Sequence, residues 1–422
     1  MKIEEIYQLY LNSNNVSTDT RTIEPNDIYF ALKGDNFDGN KFCKQALEKG
    51  AKHCIVDSKE ALLNDHCILV SNTLDTLQKL ATHHRITLNI PIVALTGSNG
   101  KTTTKELINE VLSQEYQTSA TKGNLNNHIG VPLTLLKMTS ATEIGIVEMG
   151  ANHANEIAFL CNIALPDYGV ITNFGKAHLE GFGSIEGVIK AKSELYNHLK
   201  ENNKTIFINT DDAVQLNQTK GYNNIVTFNS ETISFLECQP YVSVSYQNTK
   251  IDSKLTGKYN YTNIAIAIAI GNHFKVPLNN IKQAIEGYTP SNNRSQLITK
   301  GDNTILLDAY NANPTSMKAA LENFHQIKHE NKILFLGDMF ELGKDSDFEH
   351  QAITSYLDNN SFAEVFLTGK NFHNTSHTNK SINTFDSFES LKVFLETKKF
   401  NNAYILIKGS RGMALERIID LI

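Results

Sequence analysis

Hydrophobic positions along this chain fall into short, separated runs whose rhythm divides it into three successive stretches. In the first, residues 27–32, 53–57 and 68–70 are apolar runs of strand length. Residues 42–49 make a short helix that Gly50 ends, and 73–87 a longer one. The dipeptide Ile90-Pro91 opens the second stretch, in which apolar runs alternate with helical spacing as far as about Gly287. That alternation is the mark of a largely parallel sheet. Its expected strands are 90–95, 144–147, 168–172 and 205–209, with a β-rich passage running on to Leu255. Its expected helices are 101–114, with Leu107, Ile108, Val111 and Leu112 on one face, and 184–201. Residues 264–270 alternate Ile with Ala and so carry no polarity period. The helix propensity of alanine and the ending Gly271-Asn272 predict a buried helix there. After the polar, turn-rich residues 290–293, strands are expected at 304–307, 333–336, 365–368 and 404–407. Asn313 is placed to cap a helix with Pro314 in its first turn and Met317, Ala320, Leu321, Phe324 and Ile327 on its apolar face. The expected fold class is α/β in three domains. These are a small α/β domain (residues 1–88), a central phosphate-loop domain with a mainly parallel sheet (89–290), and a Rossmann-like C-terminal domain (291–422).

Composition narrows this little. The 422 residues are 41% hydrophobic and 20% charged, as in an ordinary globular protein of more than one domain. A net charge of −6, with Lys and Arg scattered, gives no surface for nucleic acid. The five cysteines (Cys43, Cys54, Cys67, Cys161, Cys238) have no zinc spacing and read as buried free thiols of a reducing compartment. No apolar run approaches membrane-spanning length and the first residues lack a signal-peptide core, so a cytoplasmic protein is expected.

The candidate chemistry sits where the strand 90–95 turns into the helix 101–114. Between them lie Gly97, Ser98, Asn99, Gly100, Lys101, Thr102 and Thr103. A glycine-rich turn into a helix points backbone N–H groups and the helix dipole at an anion. Lys101 can neutralise outer phosphates and the Thr102 hydroxyl can hold Mg²⁺. The usual phosphate loop begins with a Gly at the position of Leu95; here it begins at Gly97, two residues later. Glu148 and His178 leave later strands at their C-terminal ends, where the ligands of open α/β sheets bind, and should converge on the loop. Together these residues point to a nucleoside triphosphate with Mg²⁺. Taken singly, Glu148 could cap a helix and His178 could be structural.

The run of motifs goes further. Thr96-Gly-Ser-Asn-Gly-Lys-Thr102, Gly123-Asn-Leu-Asn-Asn-His-Ile-Gly-Val-Pro132, Glu148-Met-Gly-Ala151 and Thr172-Asn-Phe-Gly-Lys-Ala-His178 together resemble the Mur ligases, ATP-dependent amide-forming enzymes of bacterial cell-wall precursor synthesis. Asp308-Ala-Tyr-Asn-Ala-Asn-Pro314, Leu336-Gly-Asp-Met-Phe-Glu-Leu-Gly343 and Lys408-Gly-Ser-Arg411 resemble the branch that joins D-alanyl-D-alanine to UDP-N-acetylmuramoyl-tripeptide. The resemblance implies catalysis by Lys101, Glu148, His178 and Lys192, one metal on Thr102 and Glu148, and a second on His178. Lys192 matches a lysine that becomes a carbamate beside the metal, with Lys190 as the fallback. It implies nucleotide contacts from Asn260, Asn263, Arg294, Asp308, Tyr310 and Asn311, with Tyr259 where a histidine is usual. Substrate contacts are implied for Asp19, Thr20, Arg21, Asn126, Asn127 and Lys408; Asn40 replaces a histidine in the loop 34–40. The implied cofactors are ATP and Mg²⁺, with CO₂ as the carbamate, and a monomer is expected. The rival readings are another ligase of the same superfamily, such as a folylpolyglutamate synthase, or a phosphate-loop ATPase without ligase activity.

Overall fold

The computed structural model describes residues 1–422. The expected alternation yields three main sheets in chain order. The first has four parallel strands, Val16–Ser17, Ile28–Phe30, His53–Val56 and Cys67–Leu69. The helix Thr73–Leu88 leads out of it and ends at Asn89, which takes the left-handed conformation that asparagine tolerates (φ +48°).

The central sheet has six parallel strands, in the spatial order Ile225–Phe228, Thr205–Asn209, Tyr168–Ile171, Ile92–Thr96, Ile144–Glu148, Thr118–Ala120. From Ile92–Thr96 the chain goes first to the edge strand Thr118–Ala120, returns to Ile144–Glu148 beside its start, then crosses to the other side with Tyr168–Ile171. The strand that feeds the phosphate loop therefore lies at the point where strand order reverses. A crevice opens there at the strands' C-terminal ends. A three-stranded antiparallel sheet, Ile233–Cys238, Val242–Tyr246 and Thr249–Asp252, accounts for the β-rich passage.

The third sheet has the order Gln296–Lys300, Asn303–Asp308, Tyr404–Lys408, Lys332–Gly337, Glu364–Thr368, Ile382–Phe385. Only its first strand is antiparallel. Asn313 caps the helix Pro314–Gln326 as expected, accepting from the Ser316 N–H at 2.9 Å.

Three expectations need correction. The helix expected over 184–201 is two, Ile185–Lys192 and Glu194–Glu201, broken at Ser193. At the break the Glu194 carboxylate turns to accept the N–H groups of Asn155 (2.7 Å) and Ala158 (3.0 Å), capping the helix Glu156–Ala164. Gly271 does not end the buried helix, which runs Asn260–His273; a Cβ on Gly271 would lie 2.4 Å from Val111 Cγ1, so the glycine is there for close packing on the helix Lys101–Leu112. Strands Gln296–Lys300 and Ile382–Phe385 were not expected.

The two junctions differ. Ile6, Leu77, Leu80 and Ala81 share one continuous core with Val131, Leu135, Leu160 and Ile206 of the central unit. Arg85 reinforces it, donating to Ala164 O (3.0 Å) and pairing with Asp167 at 2.7 Å. At the second junction the linker residues Asn292, Asn293 and Ser295 are all left-handed. The apolar contact there is made away from the linker: Leu179 and Val188 of the central domain enter the C-terminal core beside Met317, Leu321 and Leu342. No helix is long and apolar enough to cross a membrane.

Candidate active site

The phosphate loop takes its shape from two glycines. Gly97 lies at φ +142°, and a Cβ there would come within 2.0 Å of Thr172 Oγ1. Gly100 lies at φ +78°, and a Cβ would strike Asn263 Oδ1 at 2.5 Å. Both conformations and both approaches require glycine. The loop is tied to the next strand's end: Thr172 Oγ1 donates to Asn99 O (2.6 Å) and Asn99 N–H to Asn173 Oδ1 (3.1 Å). Ser98 Oγ donates to Gly175 O at 2.8 Å. Lys101 Nζ curls back to donate to Gly97 O at 2.8 Å, and desolvation lowers its pKa against the opposing pull of Glu148. Thr102 and Thr103 are buried at the start of the helix.

A cleft of about 960 Å³ opens over this loop, at the top of the range for small-molecule sites (roughly 300–1,000 Å³) and large enough for a nucleotide beside a second substrate. Ser98 to Thr103, Asn126, Asn127, Glu148 and His178 line one wall; Arg294, Asp308, Tyr310, Asn311 and Lys408 line the other. The convergence of Glu148 and His178 on the loop is therefore seen. Asn260 and Asn263 also face the cleft but are largely engaged within the protein. Thr104 Oγ1 donates to Asn263 Oδ1 (3.1 Å), Asn263 Nδ2 to Asn260 Oδ1 (2.7 Å) and Asn260 Nδ2 to Thr256 O (2.7 Å), a chain that locks the two helices together. Tyr259 donates or accepts at Ser295 Oγ, 2.9 Å away across the hinge, and burial raises its pKa.

Glu148 is buried. Its Oε1 accepts from Asn126 Nδ2 at 2.7 Å, while Oε2 is buried with no hydrogen-bond partner. A carboxylate oxygen held so, beside Thr102, fits a hard cation. No three His, Cys, Asp or Glu side chains cluster to form a self-sufficient cage. That donor set suits Mg²⁺ completed by phosphate oxygens. Asn127 Oδ1 caps the following short helix, accepting from the Gly130 N–H at 2.9 Å.

Lys192 is fully buried and does not line the cleft. Its Nζ donates to Ala151 O at 3.1 Å, behind the cleft wall, and lies 5.1 Å from the Phe182 ring. Desolvation, helped by the Lys101 charge, pushes its pKa down to about 7. Lys190, by contrast, is an exposed surface residue.

On the facing wall, the Arg294 guanidinium stacks 3.7 Å over the Tyr310 ring, and its Nε is buried without a partner. Tyr310 thus supports Arg294 with one face of its ring. Lys408 is buried and paired with Asp308 Oδ2 at 2.6 Å, and also donates to Asn311 O at 3.3 Å. Asp19, Thr20 and Arg21 are not brought to this cleft. Asp19 and Arg21 pair with each other at 2.6 Å, which holds the Asp19 carboxyl down at about 2; Thr20 Oγ1 donates to Gln45 Oε1 at 3.0 Å. Asn40 bridges Asp38 and Asp57 inside the first domain.

Sequence reasoning missed the contacts that join the walls. Asn313 Nδ2 donates to Asn99 Oδ1 at 2.7 Å, Lys176 pairs with Glu349 at 2.7 Å, and His178 Nδ1 meets Glu341. Only long-range placement brings these together, and no local spacing announces them.

Comparison with known proteins fits this arrangement. Family models match end to end: "Mur ligase family, catalytic domain" over residues 12–85, "Mur ligase middle domain" over 95–271, and "Mur ligase, glutamate ligase domain" over 293–411. The chain belongs to the Mur ligase family. Among Mur ligases, it is 36% identical to the UDP-N-acetylmuramoyl-tripeptide–D-alanyl-D-alanine ligase of Bacillus subtilis, over 97% of this chain and 93% of that protein. It is 33% identical to the ligase of the same name from Escherichia coli, over 96% and 92% respectively. The crystal structure of MurF from Acinetobacter baumannii superposes with a TM-score of 0.87 at 27% identity, covering 100% of this chain and 98% of that one. MurF ligase from Thermotoga maritima in complex with ADP gives 0.84 at 27%, covering 98% and 97%. A Mycobacterium tuberculosis folylpolyglutamate synthase, at 14% identity and TM-score 0.61, shares the fold.

Proposed function

We propose that this Mur ligase joins D-alanyl-D-alanine to UDP-N-acetylmuramoyl-tripeptide, converting ATP to ADP and phosphate in the synthesis of a peptidoglycan precursor. One observation carries the chemistry: the phosphate loop, Glu148 and His178 face Arg294, Asp308 and Lys408 across a single cleft. The division of labour follows the chain. Residues 1–88 hold the UDP end, with Asp19, Thr20 and Arg21 contributing; 89–290 hold the triphosphate; 291–422 bring the dipeptide and close over the nucleotide. Arg294 reaches the phosphates, Asp308 the ribose, and Tyr310, Asn311, Asn260 and Asn263 surround the base. Asn126, Asn127 and Lys408 border the peptide substrates. The enzyme acts as a cytoplasmic monomer.

The γ-phosphoryl group passes to the tripeptide's terminal carboxylate, giving an acyl phosphate and ADP. The free amine of D-alanyl-D-alanine attacks the acyl carbon, and phosphate leaves from the tetrahedral intermediate. Two anions must meet in the first step. Lys101 supplies positive charge at the loop; Thr102 and Glu148 would hold one Mg²⁺ and His178 a second, which would supply the remaining compensating charge. The contacts between the two walls exclude water, which would otherwise hydrolyse the acyl phosphate. Lys192, with a pKa near 7, has enough neutral amine that it would capture CO₂ as a carbamate with release of a proton, and that anion would help to position a metal from behind Ala151.

Phosphate release from ATP, with each substrate omitted in turn, tests the reaction. Release is expected only with both UDP-N-acetylmuramoyl-tripeptide and D-alanyl-D-alanine present. Steady turnover with neither would mean a bare ATPase, and dependence on a single amino acid would mean a different ligase.

A further inference from the structure

The segment Leu336-Gly-Asp-Met-Phe-Glu-Leu-Gly343 has so far no task in the reaction, and the structure gives most of its residues a packing one. Asp338 accepts the N–H groups of Asn371 (3.0 Å) and Phe372 (2.9 Å), Met339 N–H donates to His350 Nε2 (3.0 Å), and Leu342 is buried in the C-terminal core. Glu341 stands apart. Its side chain is 51% exposed, so packing does not dictate its direction, yet it crosses to the central domain and meets His178 Nδ1. Both residues hold backbone conformations that L side chains rarely adopt, φ +62° at Glu341 and φ +52° at His178. A second bond runs alongside the first, from Glu180 N–H to Glu341 O at 3.1 Å. Two unusual backbones thus face each other across the domain boundary, joined by side chain and main chain.

The chemistry of this contact is directional. A carboxylate only accepts, so Nδ1 must carry a proton, and in the neutral imidazole that leaves the lone pair on Nε2. His178 lines the cleft, and Glu341 is the only hydrogen-bond partner of its ring. A carboxylate behind a histidine in this way fixes the ring's tautomer and orientation and strengthens its other nitrogen as a ligand.

We propose that Glu341 is a positioning residue, reaching from the C-terminal domain to aim His178 Nε2 at a divalent cation in the cleft, so that His178 becomes a competent ligand only when the domains are together. The inference rests on the reading of His178 as a metal ligand. It makes the metal site a property of the closed cleft rather than of the central domain alone.

The test uses the full-length protein and Mn²⁺ as the probe, titrated with a non-hydrolysable ATP analogue present and followed by electron paramagnetic resonance. Wild type is expected to take up a tighter and a weaker Mn²⁺. His178→Ala should abolish the weaker site; if it does not, the metal reading of His178 falls. Glu341→Ala should weaken that site about 10- to 100-fold, and Glu341→Gln, which keeps an acceptor of the same size, should weaken it less. Glu349→Ala loosens the same junction at Lys176 without touching His178 and should weaken that site clearly less than Glu341→Ala does. A loss in His178→Ala with wild-type binding in both Glu341 variants would overturn the proposal. So would an equal loss in Glu349→Ala, which would make the effect one of closure in general.

Discussion

Lys192 shows how much a single residue's setting matters. An ammonium group buried with one carbonyl partner is poorly solvated, which is why its pKa sits near 7 rather than at the usual lysine value. Such a lysine either does no more than fill space or is chemically modified. If the carbamate assignment holds, Lys192→Ala loses most ligase activity, raised bicarbonate does not restore it, and short-chain carboxylates entering the space partly do. Near-wild-type turnover of Lys192→Ala would sink the assignment. The sequence identified Lys192 through its resemblance to a motif, but its place behind the cleft wall, under Ala151, was not legible. Neither was the solitary Oε2 of Glu148, because burial and missing partners are properties of the folded neighbourhood.

At the scale of elements the sequence is more readable. Strands such as Ile144–Glu148 and Lys332–Gly337 are nearly all buried, and a continuous apolar run announces them. The edge strand Ile382–Phe385 is only half-buried and lacks such a run, so it went unread. Gly271 was misjudged because a glycine near a helix end looks like a stop, whereas here it lets two helices approach. Gly271→Ala therefore pits a helix-propensity gain of about 1 kcal/mol against an overpacking cost of roughly 1–3 kcal/mol. The expected outcome is a lowered thermal midpoint, recovered in part by adding Val111→Ala, with scanning calorimetry as the measurement. An unchanged or higher midpoint in the single variant would show that Val111 moves aside freely. The break at Ser193 has a similar origin: Glu194 serves a neighbouring helix, and no rule internal to residues 184–201 could say so.

Over the whole molecule, the asymmetry between the junctions organises everything else. The first is a common hydrophobic core fastened by Arg85 and Asp167, while the second is a left-handed, polar linker whose two sides meet through Leu179, His178 and Lys176. A closing movement would then belong to the C-terminal domain, against the other two held as a pair. Leu179→Asp would place a charge in the C-terminal core, where it has no partner. The variant should keep its circular dichroism but show a larger radius of gyration in solution scattering, and an unchanged radius would refute the role given to Leu179. The fastened junction matters in another way. Because the first domain shares its core with the domain that carries the phosphate loop, packing sets the span between them. On the proposal that residues 1–88 hold the UDP end, that span would be a gauge laid along the substrate. A muramoyl peptide one residue short would then stop before the loop and one residue long would overshoot it, so the choice of a tripeptide would be made by a length that belongs to the scaffold.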